Sequence, residues 1–217
     1  MIIAIDGPAG SGKSTVAKRV AERLGILYVD TGAMYRALTH KAMEKGLDLK
    51  DEAALINMAK DTEIELVLDK NNKLTVFLDG RDVSAHIRTP ELTNNIRYVA
   101  PIPGVRREMV KMQRRAAREG KGAVLEGRDI GTVVFPDADK KFYLDADFQE
   151  RVKRRHKELV EVGMNVDLIN IKEDVERRDK SDMERKTAPL RRADDAAVID
   201  TTKLSIEETV EKILSCL

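Results

Sequence analysis

Apolar and polar positions follow one another in this chain in a pattern that predicts short buried strands separated by amphipathic helices. The apolar run IIAID at 2–6 predicts a strand, and apolar residues then recur at helical spacing over 16–24. Gly25 predicts the end of that helix, and the short apolar run at 26–29 predicts a second buried strand. A second helix is expected over 31–45. This order indicates an α/β fold with a parallel sheet flanked by helices.

A β-rich segment interrupts this order after the second helix. Residues 64–68 and 74–78 are strand-like, and the polar stretch 69–73 between them predicts an antiparallel hairpin. Because a hairpin of this kind departs from a parallel α/β core, we predict a small β-containing insertion at about 62–100. The core would then comprise residues 1–61 and 101–217.

The α/β pattern returns in the second half of the chain. The predicted elements are a basic helix near 105–119, strands at 123–127 and 141–146, helices near 148–162 and 167–183, a strand at 196–200, and a helix that begins at Ser205. Glu208 completes a capping box for the last of these helices.

The loop between the first strand and the first helix carries a phosphate-binding motif. GPAGSGKS matches G-x-x-x-x-G-K-[ST] in the strand–loop–helix context that this motif requires. Its glycines allow backbone N–H groups to close around phosphate, Lys13 is expected to reach the β- and γ-phosphates, and the Ser14 hydroxyl is expected to bind Mg²⁺. The residues predicted to bind ATP are Gly7, Pro8, Ala9, Gly10, Ser11, Gly12, Lys13, Ser14 and Thr15.

Composition excludes several other kinds of function. The 39 basic and 38 acidic residues nearly cancel, so no global field would hold the protein on nucleic acid or an anionic membrane. No apolar run approaches the ~18 residues of a membrane span. The N-terminus lacks signal-peptide features, and the single cysteine fits a reducing compartment. We therefore expect a soluble, cytoplasmic protein that binds no nucleic acid and acts as a monomer.

A phosphate-binding loop also occurs in GTPases and in ATP-binding regulatory modules. The guanine motif N-K-x-D is not completed at 72–75, which weakens the GTPase interpretation. The scattered downstream arginines favour a small-molecule kinase, because phosphoryl transfer needs cations around donor and acceptor. A kinase acting on shikimate or dephospho-coenzyme A is the alternative enzyme, and a nucleotide-gated binding module is the alternative from another class.

Three further segments identify a family that the chain resembles. DTGAMYR at 30–36, EGRDIGTVVFPDA at 126–138 and RRDKSDMERKTAPL at 177–190, together with the phosphate-binding loop, resemble the bacterial cytidylate kinases. The resemblance covers essentially the whole chain. It implies a P-loop kinase core of three layers, a monophosphate-binding insertion, a helical lid within about 148–183, and Mg-ATP-dependent phosphorylation of CMP or dCMP in pyrimidine nucleotide metabolism. Glu126 stands where the family more often has Asp.

The resemblance also implies roles for individual residues. Those implied to bind the acceptor nucleotide are Thr31, Tyr35, Arg36, Arg88, Arg106, Arg128, Asp129, Arg178, Asp182 and Arg185, and those implied to be catalytic are Lys13, Arg128 and Arg185. Asp129 would accept a hydrogen bond from the cytosine N4 amino group, while Arg106 and the Thr31 hydroxyl would serve the base's acceptors. Three arginines at 151–155 would belong to the lid.

Each of these residue types also has a purely structural explanation. Thr31 or Asp30 can cap the helix that begins there, and Arg36 can be a solvated helix residue. Asp129 can pair with its neighbour Arg128 on the surface, and the spacing from Arg178 to Arg185 can produce ion pairs along one helix face.

Overall fold

The computed structural model describes residues 1–69, 73–118, 120–161, 163–164 and 166–217, so the centre of the predicted hairpin turn lies outside the described residues. The predicted α/β class is confirmed. The strands are β1 (Ile2–Asp6), β2 (Leu27–Asp30), β3 (Ile64–Leu68), β4 (Leu74–Leu78), β5 (Arg81–Asp82), β6 (Ala123–Gly127), β7 (Lys140–Asp145) and β8 (Ala197–Asp200). The α-helices are α1 (Lys13–Leu24), α2 (Thr31–Glu44), α3 (Glu52–Lys60), α4 (Pro90–Val99), α5 (Pro103–Arg118), α6 (Phe148–Glu161), α7 (Leu168–Glu184) and α8 (Ile206–Leu214).

Five strands form a parallel sheet in the order β2-β6-β1-β7-β8. Strand β1 lies in the middle, and its central residues Ile3, Ala4 and Ile5 are fully buried, as expected for a strand covered on both faces. The register aligns Asp6 with Gly127, and Asp30 with Glu126. The carboxyl ends of these strands therefore meet at one edge, which is where open α/β sheets bind ligands.

The β-rich segment forms a second sheet of three strands in the order β3-β4-β5. Strands β3 and β4 pair antiparallel, with Ile64 opposite Leu78 and Leu68 opposite Leu74, so the hairpin prediction is confirmed. Buried side chains of this sheet belong to the same hydrophobic core as those of the parallel sheet. The bounds of a separate insertion at 62–100 remain a prediction.

Two helices of this region were missed because their signals are short. Helix α3 begins at the N-cap Asp51, whose side chain accepts a hydrogen bond from the Ala54 amide at 3.0 Å. Helix α4 begins at Pro90 after the N-cap Thr89. Proline is favoured in the first turn of a helix because it has no N–H to leave unpaired, so Pro90 is a start signal for α4.

Helices α6 and α7 pack on each other around a small cluster of their own. Val152, Ile171 and Val175 are buried at its centre and form a group distinct from the main core. Their contacts with the phosphate-binding loop, described below, are polar. Among the described helices, none is both long and apolar enough to cross a membrane.

Candidate active site

The loop at 7–14 is held in a conformation that depends on its glycines. Gly7, Gly10 and Gly12 all have positive φ, at 151°, 75° and 89°. A Cβ atom on Gly7 would lie 2.0 Å from the Leu144 carbonyl oxygen, and one on Gly10 would lie 2.9 Å from the Arg151 carbonyl oxygen. Both glycines therefore satisfy backbone geometry and a close approach at once. Gly12 is the N-cap of α1, so the loop delivers the chain to a helix N-terminus.

Lys13 lies buried under this loop. Its Nζ donates to the Pro8 carbonyl oxygen at 2.6 Å and to the Ser11 hydroxyl at 3.3 Å. Burial, and next the positive charge of Arg128, lower the pKa of Lys13 to about 7. A phosphate group nearby would supply the negative charge that a buried ammonium lacks.

A carboxylate lies next to the hydroxyl that sequence analysis assigned to magnesium. The Ser14 hydroxyl donates to Glu126 Oε1 at 2.6 Å, and the Tyr28 hydroxyl lies 3.4 Å from the same oxygen. Burial, then the negative charge of Asp30, raise the pKa of Glu126. These oxygen ligands fit Mg²⁺, which takes few protein ligands and several from phosphate and water. Among the described residues there is no cluster of three or more His, Cys, Asp or Glu side chains able to hold a metal.

Beyond Lys13, five alternating charges line the carboxyl edge of the sheet. Arg106 Nη2 donates to Asp129 Oδ2, and Arg185 lies 3.6 Å from the other oxygen of Asp129. Arg185 also lies 3.6 Å from Asp182, and Arg128 Nε donates to Asp182 at 2.7 Å. Arg128 therefore pairs with Asp182 rather than with its neighbour Asp129, contrary to the surface-pair alternative. The row contains three cations and two anions, which suits an anionic ligand.

Thr31 and Arg36 lie at the start of α2. Asp30 is the N-cap, and its side chain accepts a hydrogen bond from the Ala33 amide at 2.7 Å and pairs with Arg36 at 3.1 Å. The Thr31 hydroxyl donates to the Glu126 carbonyl oxygen at 2.6 Å. In this contact the Thr31 hydrogen is directed at Glu126, and the hydroxyl oxygen stays available as an acceptor. The contact of Thr31 with the base stays a prediction.

Several buried polar atoms of this pocket have no hydrogen-bond partner among the described residues. Those at the acceptor side are Tyr35 Oη, Arg36 Nε, Arg106 Nε and Arg185 Nη2. Arg106 also lies over the Tyr35 ring, at 5.4 Å from its centre. Burial raises the pKa of Tyr35 to about 12, so its hydroxyl keeps its proton near neutral pH. Buried groups of this kind are rare unless a ligand or water pairs with them.

Asp6 connects the phosphate-binding loop with the segment that carries residues 128–129. It immediately precedes Gly7, and its carboxylate accepts hydrogen bonds from the amides of Ile130 and Gly131 at 2.9 and 2.8 Å. Burial raises the pKa of Asp6 to about 6. Sequence analysis gave Asp6 no role, since its partners lie over a hundred residues away.

Thr201 is a second residue that sequence analysis missed. It follows β8, and its hydroxyl donates to the Ser11 carbonyl oxygen at 3.1 Å and approaches the Asp145 carbonyl oxygen at the same distance. Arg154 donates to the Thr201 hydroxyl and carbonyl oxygen at 2.9 and 2.7 Å. The adjacency of β7 and β8 in the sheet was the missing information.

Some of the predicted residues are not brought into this cluster. Arg88 is exposed on the short 3-10 turn at 86–88, and no hydrogen bond or ion pair joins its side chain to another described residue. Arg178 pairs with Asp174 at 3.8 Å. The sequence spacing had allowed ion pairs within this helix, but among residues 178–185. Helix α7 ends at Glu184, so Arg185 reaches the cluster from outside the helix rather than from its face. Thr15 is exposed on the first turn of α1.

Comparisons with known proteins agree with this geometry. A protein-family model described as "Cytidylate kinase" matches residues 3–217. A cytidylate kinase of Geobacillus kaustophilus is 53% identical over 212 residues, which cover 98% of this chain and 94% of that protein. A cytidylate kinase of Bacillus licheniformis is 50% identical, covering 99% of this chain and 94% of that protein.

Likeness to one solved structure concerns the fold alone. An uncharacterised protein from Eubacterium ventriosum superposes with a TM-score of 0.53 at 17% identity, covering 100% of this chain and 97% of that one. The match to the family model extends over nearly the full length, and the two relatives share half or more of their residues with this sequence. The chain belongs to the cytidylate kinase family.

Proposed function

We propose that the protein transfers the γ-phosphate of ATP to CMP or dCMP, forming CDP or dCDP. The observation that carries this proposal is the row of five charges next to the phosphate-binding loop, with Asp129 held between Arg106 and Arg185. The loop and Lys13 would bind the donor triphosphate. The charged row would bind the acceptor, which must present both a phosphate and a base.

Cytosine suits the base side of this pocket. Its N4 amino group has two hydrogens, and both the Asp129 carboxylate and the Thr31 hydroxyl oxygen can accept one, since the Thr31 hydrogen goes to Glu126. Arg106 Nε, buried without a partner among the described residues, can donate to the N3 or O2 acceptor. Uracil presents O4 instead of N4, so its oxygen would face the carboxylate, leaving unpaired polar groups at ~1–3 kcal/mol each.

The cations of the pocket suit the acceptor phosphate. Arg36 Nε and Arg185 Nη2 are buried and lack hydrogen-bond partners among the residues described. Arg128 pairs with Asp182, and its positive charge acts on Lys13. A guanidinium can hold two phosphate oxygens at once. We therefore assign Arg36, Arg128 and Arg185 to the acceptor phosphate. Arg88 and Arg178 stay predictions, to which the observed contacts add no support.

Transfer would proceed by in-line attack of a CMP phosphate oxygen on the γ-phosphate. That oxygen is already ionised near neutral pH, so the site needs no strong general base. Lys13, Arg128 and Arg185 would offset the charge that spreads over the moving group, and positioning would supply the remaining rate enhancement. Mg²⁺, held by Ser14 and by Glu126, would offset the charge of the triphosphate when bound.

We also propose that the protein acts as a cytoplasmic monomer on free nucleotides. ATP and CMP are available there, and a single exposed cysteine fits a reducing compartment. All the assigned groups come from one chain, so the proposed site needs no second copy.

The pH dependence of ATP binding provides one prediction. Because the pKa of Lys13 is about 7 without ligand, its ammonium is mostly deprotonated at pH 8. A bound triphosphate would raise that pKa, so binding at pH 8 should take up a proton, and affinity should weaken as pH rises above about 7. Calorimetry at pH 8 in buffers of different ionisation enthalpy measures this uptake. An observed heat that is independent of the buffer would contradict it.

The proposed reaction is tested by following the label from ATP marked at its γ-phosphate. With CMP present, the label should move to CDP at a rate that requires both CMP and Mg²⁺. Release of the label only as inorganic phosphate, at a rate independent of CMP, would leave an ATPase and refute the proposed transfer.

A further inference from the structure

Side chains of α6 and α7 form hydrogen bonds with both the amide and the carbonyl group of Ala9, in the phosphate-binding loop. The Ala9 amide donates to Asp179 Oδ1 at 3.2 Å. Arg151 Nη1 donates to the Ala9 carbonyl oxygen at 2.9 Å. Both side chains are buried. Asp179 lies beside Arg178 in the segment at 177–190, but neither Asp179 nor Arg151 was itself assigned to the acceptor nucleotide.

Arg151 and Asp179 also bind each other. Arg151 Nη1 lies 2.5 Å from Asp179 Oδ2, and Arg151 Nε donates to the Ala146 carbonyl oxygen at 3.2 Å. Arg151, Asp179 and Ala9 thus form a closed ring of hydrogen bonds. Loss of one charge would leave the other buried without its partner, which is a costly change.

This ring of hydrogen bonds joins the phosphate-binding loop to the pair of helices α6 and α7. Helices α6 and α7 have their own apolar cluster, distinct from the core beneath the phosphate-binding loop. At Gly10 the loop and α6 approach so closely that only glycine fits, because a Cβ atom would lie 2.9 Å from the Arg151 carbonyl oxygen. A change in the position of α6 and α7 would therefore change the position of the loop.

Peptide planarity explains how the hydrogen bonds at Ala9 would affect binding of the donor nucleotide. The Ala9 carbonyl and the Gly10 amide share one rigid plane and point in opposite directions. Arg151 draws the carbonyl toward α6, which turns the Gly10 amide away from α6. Asp179 fixes the preceding plane in the same manner through the Ala9 amide. The ring thereby sets how the amides of the loop are presented to phosphate.

We propose that Arg151 and Asp179 are a positioning pair that orients the phosphate-binding loop at Ala9 and couples the lid helices α6 and α7 to ATP binding. This inference rests on the proposed function for the identity of the donor. The two residues act through the loop backbone and are not assigned a contact with the transferred phosphate.

The test is the affinity for a fluorescent ATP analogue with Mg²⁺ and without any acceptor. Asp179→Asn removes the charge but retains an amide of similar shape, and Arg151→Lys retains the charge but cannot donate to all three oxygens. We expect each to weaken binding by about tenfold, in line with the loss of one charge-assisted hydrogen bond, while KM for CMP changes by less than about twofold. The double variant Arg151→Lys with Asp179→Asn should lose less than the product of the two single-variant factors.

Matched controls are available on the outer face of α7. Glu173→Gln and Arg177→Lys make the same kinds of change, carboxylate to amide and arginine to lysine, at exposed positions and should leave affinity unchanged. A lower melting temperature with wild-type affinity would mean a merely structural pair and would overturn the proposal. So would equal losses for ATP and CMP. If wild type binds the analogue but does not phosphorylate CMP, the proposed function fails while the affinity comparison still decides this inference.

Discussion

The Lys13→Met variant should lose phosphoryl transfer by about 10³-fold or more while keeping its fold. Methionine has nearly the length of lysine without its charge, so the buried space stays filled while the cation over the β- and γ-phosphates is lost. Burial lowers the pKa of Lys13 to about 7, which means that the charged form of this side chain destabilises the native state. We therefore expect a melting temperature equal to or above that of wild type, measured alongside the initial rate of ADP release.

Lys18→Met is the matched control for this variant. Lys18 lies on the same helix, is half-buried and lies outside the phosphate-binding loop, so its replacement should leave the rate within about twofold. Transfer by Lys13→Met at a tenth of the wild-type rate or faster would remove Lys13 from the catalytic role.

The second large effect is expected for Asp129→Asn, which should change the choice of base. The amide keeps the shape of the carboxylate but can donate as well as accept, so O4 of UMP gains a donor where it met a negative charge. We expect kcat/KM for CMP to fall by about 10–100-fold, the value of one buried charged hydrogen bond, and kcat/KM for UMP to stay the same or rise. The measured quantity is the CMP-to-UMP ratio.

This substitution also leaves Arg106 and Arg185 with less negative charge between them, so its fold must be checked by thermal melting. Asp194→Asn, at an exposed position, controls for the change of residue type. An unchanged CMP-to-UMP ratio in a folded Asp129→Asn variant would show that another group selects the base.

The strands other than β5, and the phosphate-binding loop, were predictable from the sequence because their signals are local. The apolar run before Gly7, the glycines of the loop and the lysine that follows occupy neighbouring positions, and one motif specifies both geometry and chemistry. The hairpin was predictable for the same reason, since two β-rich runs flank one polar turn. Helix α8 was marked by its capping box, which the structure contains in full.

Residues whose roles depend on strand order could not be found in this way. Asp6 and Thr201 contact segments that are adjacent only because β1, β6, β7 and β8 are neighbours in the sheet. The partners of charged residues were equally hidden. Sequence spacing suggested that Arg178 and Arg185 share a helix face, but α7 ends before Arg185, and Arg178 turns to Asp174.

The pairing of Thr31 shows how one hydrogen bond changes a functional assignment. From the sequence, its hydroxyl was expected to donate to an acceptor of the base. Its contact with the Glu126 carbonyl oxygen uses the hydrogen and leaves the hydroxyl oxygen as an acceptor. If Thr31 and Asp129 both contact the base as proposed, two acceptors would meet it, which favours an amino group over a carbonyl group.

The measurement that tests the central claim most directly is ADP release from Mg-ATP with CMP, dCMP, UMP, AMP, shikimate and dephospho-coenzyme A, each offered separately at equal concentration. We expect rapid release with CMP and dCMP, and release at least about tenfold slower with each of the others, since one unpaired buried polar group already costs about that factor. Equal rates with CMP and UMP would contradict the role of Asp129, and rates that do not respond to any acceptor would contradict the proposed kinase activity itself.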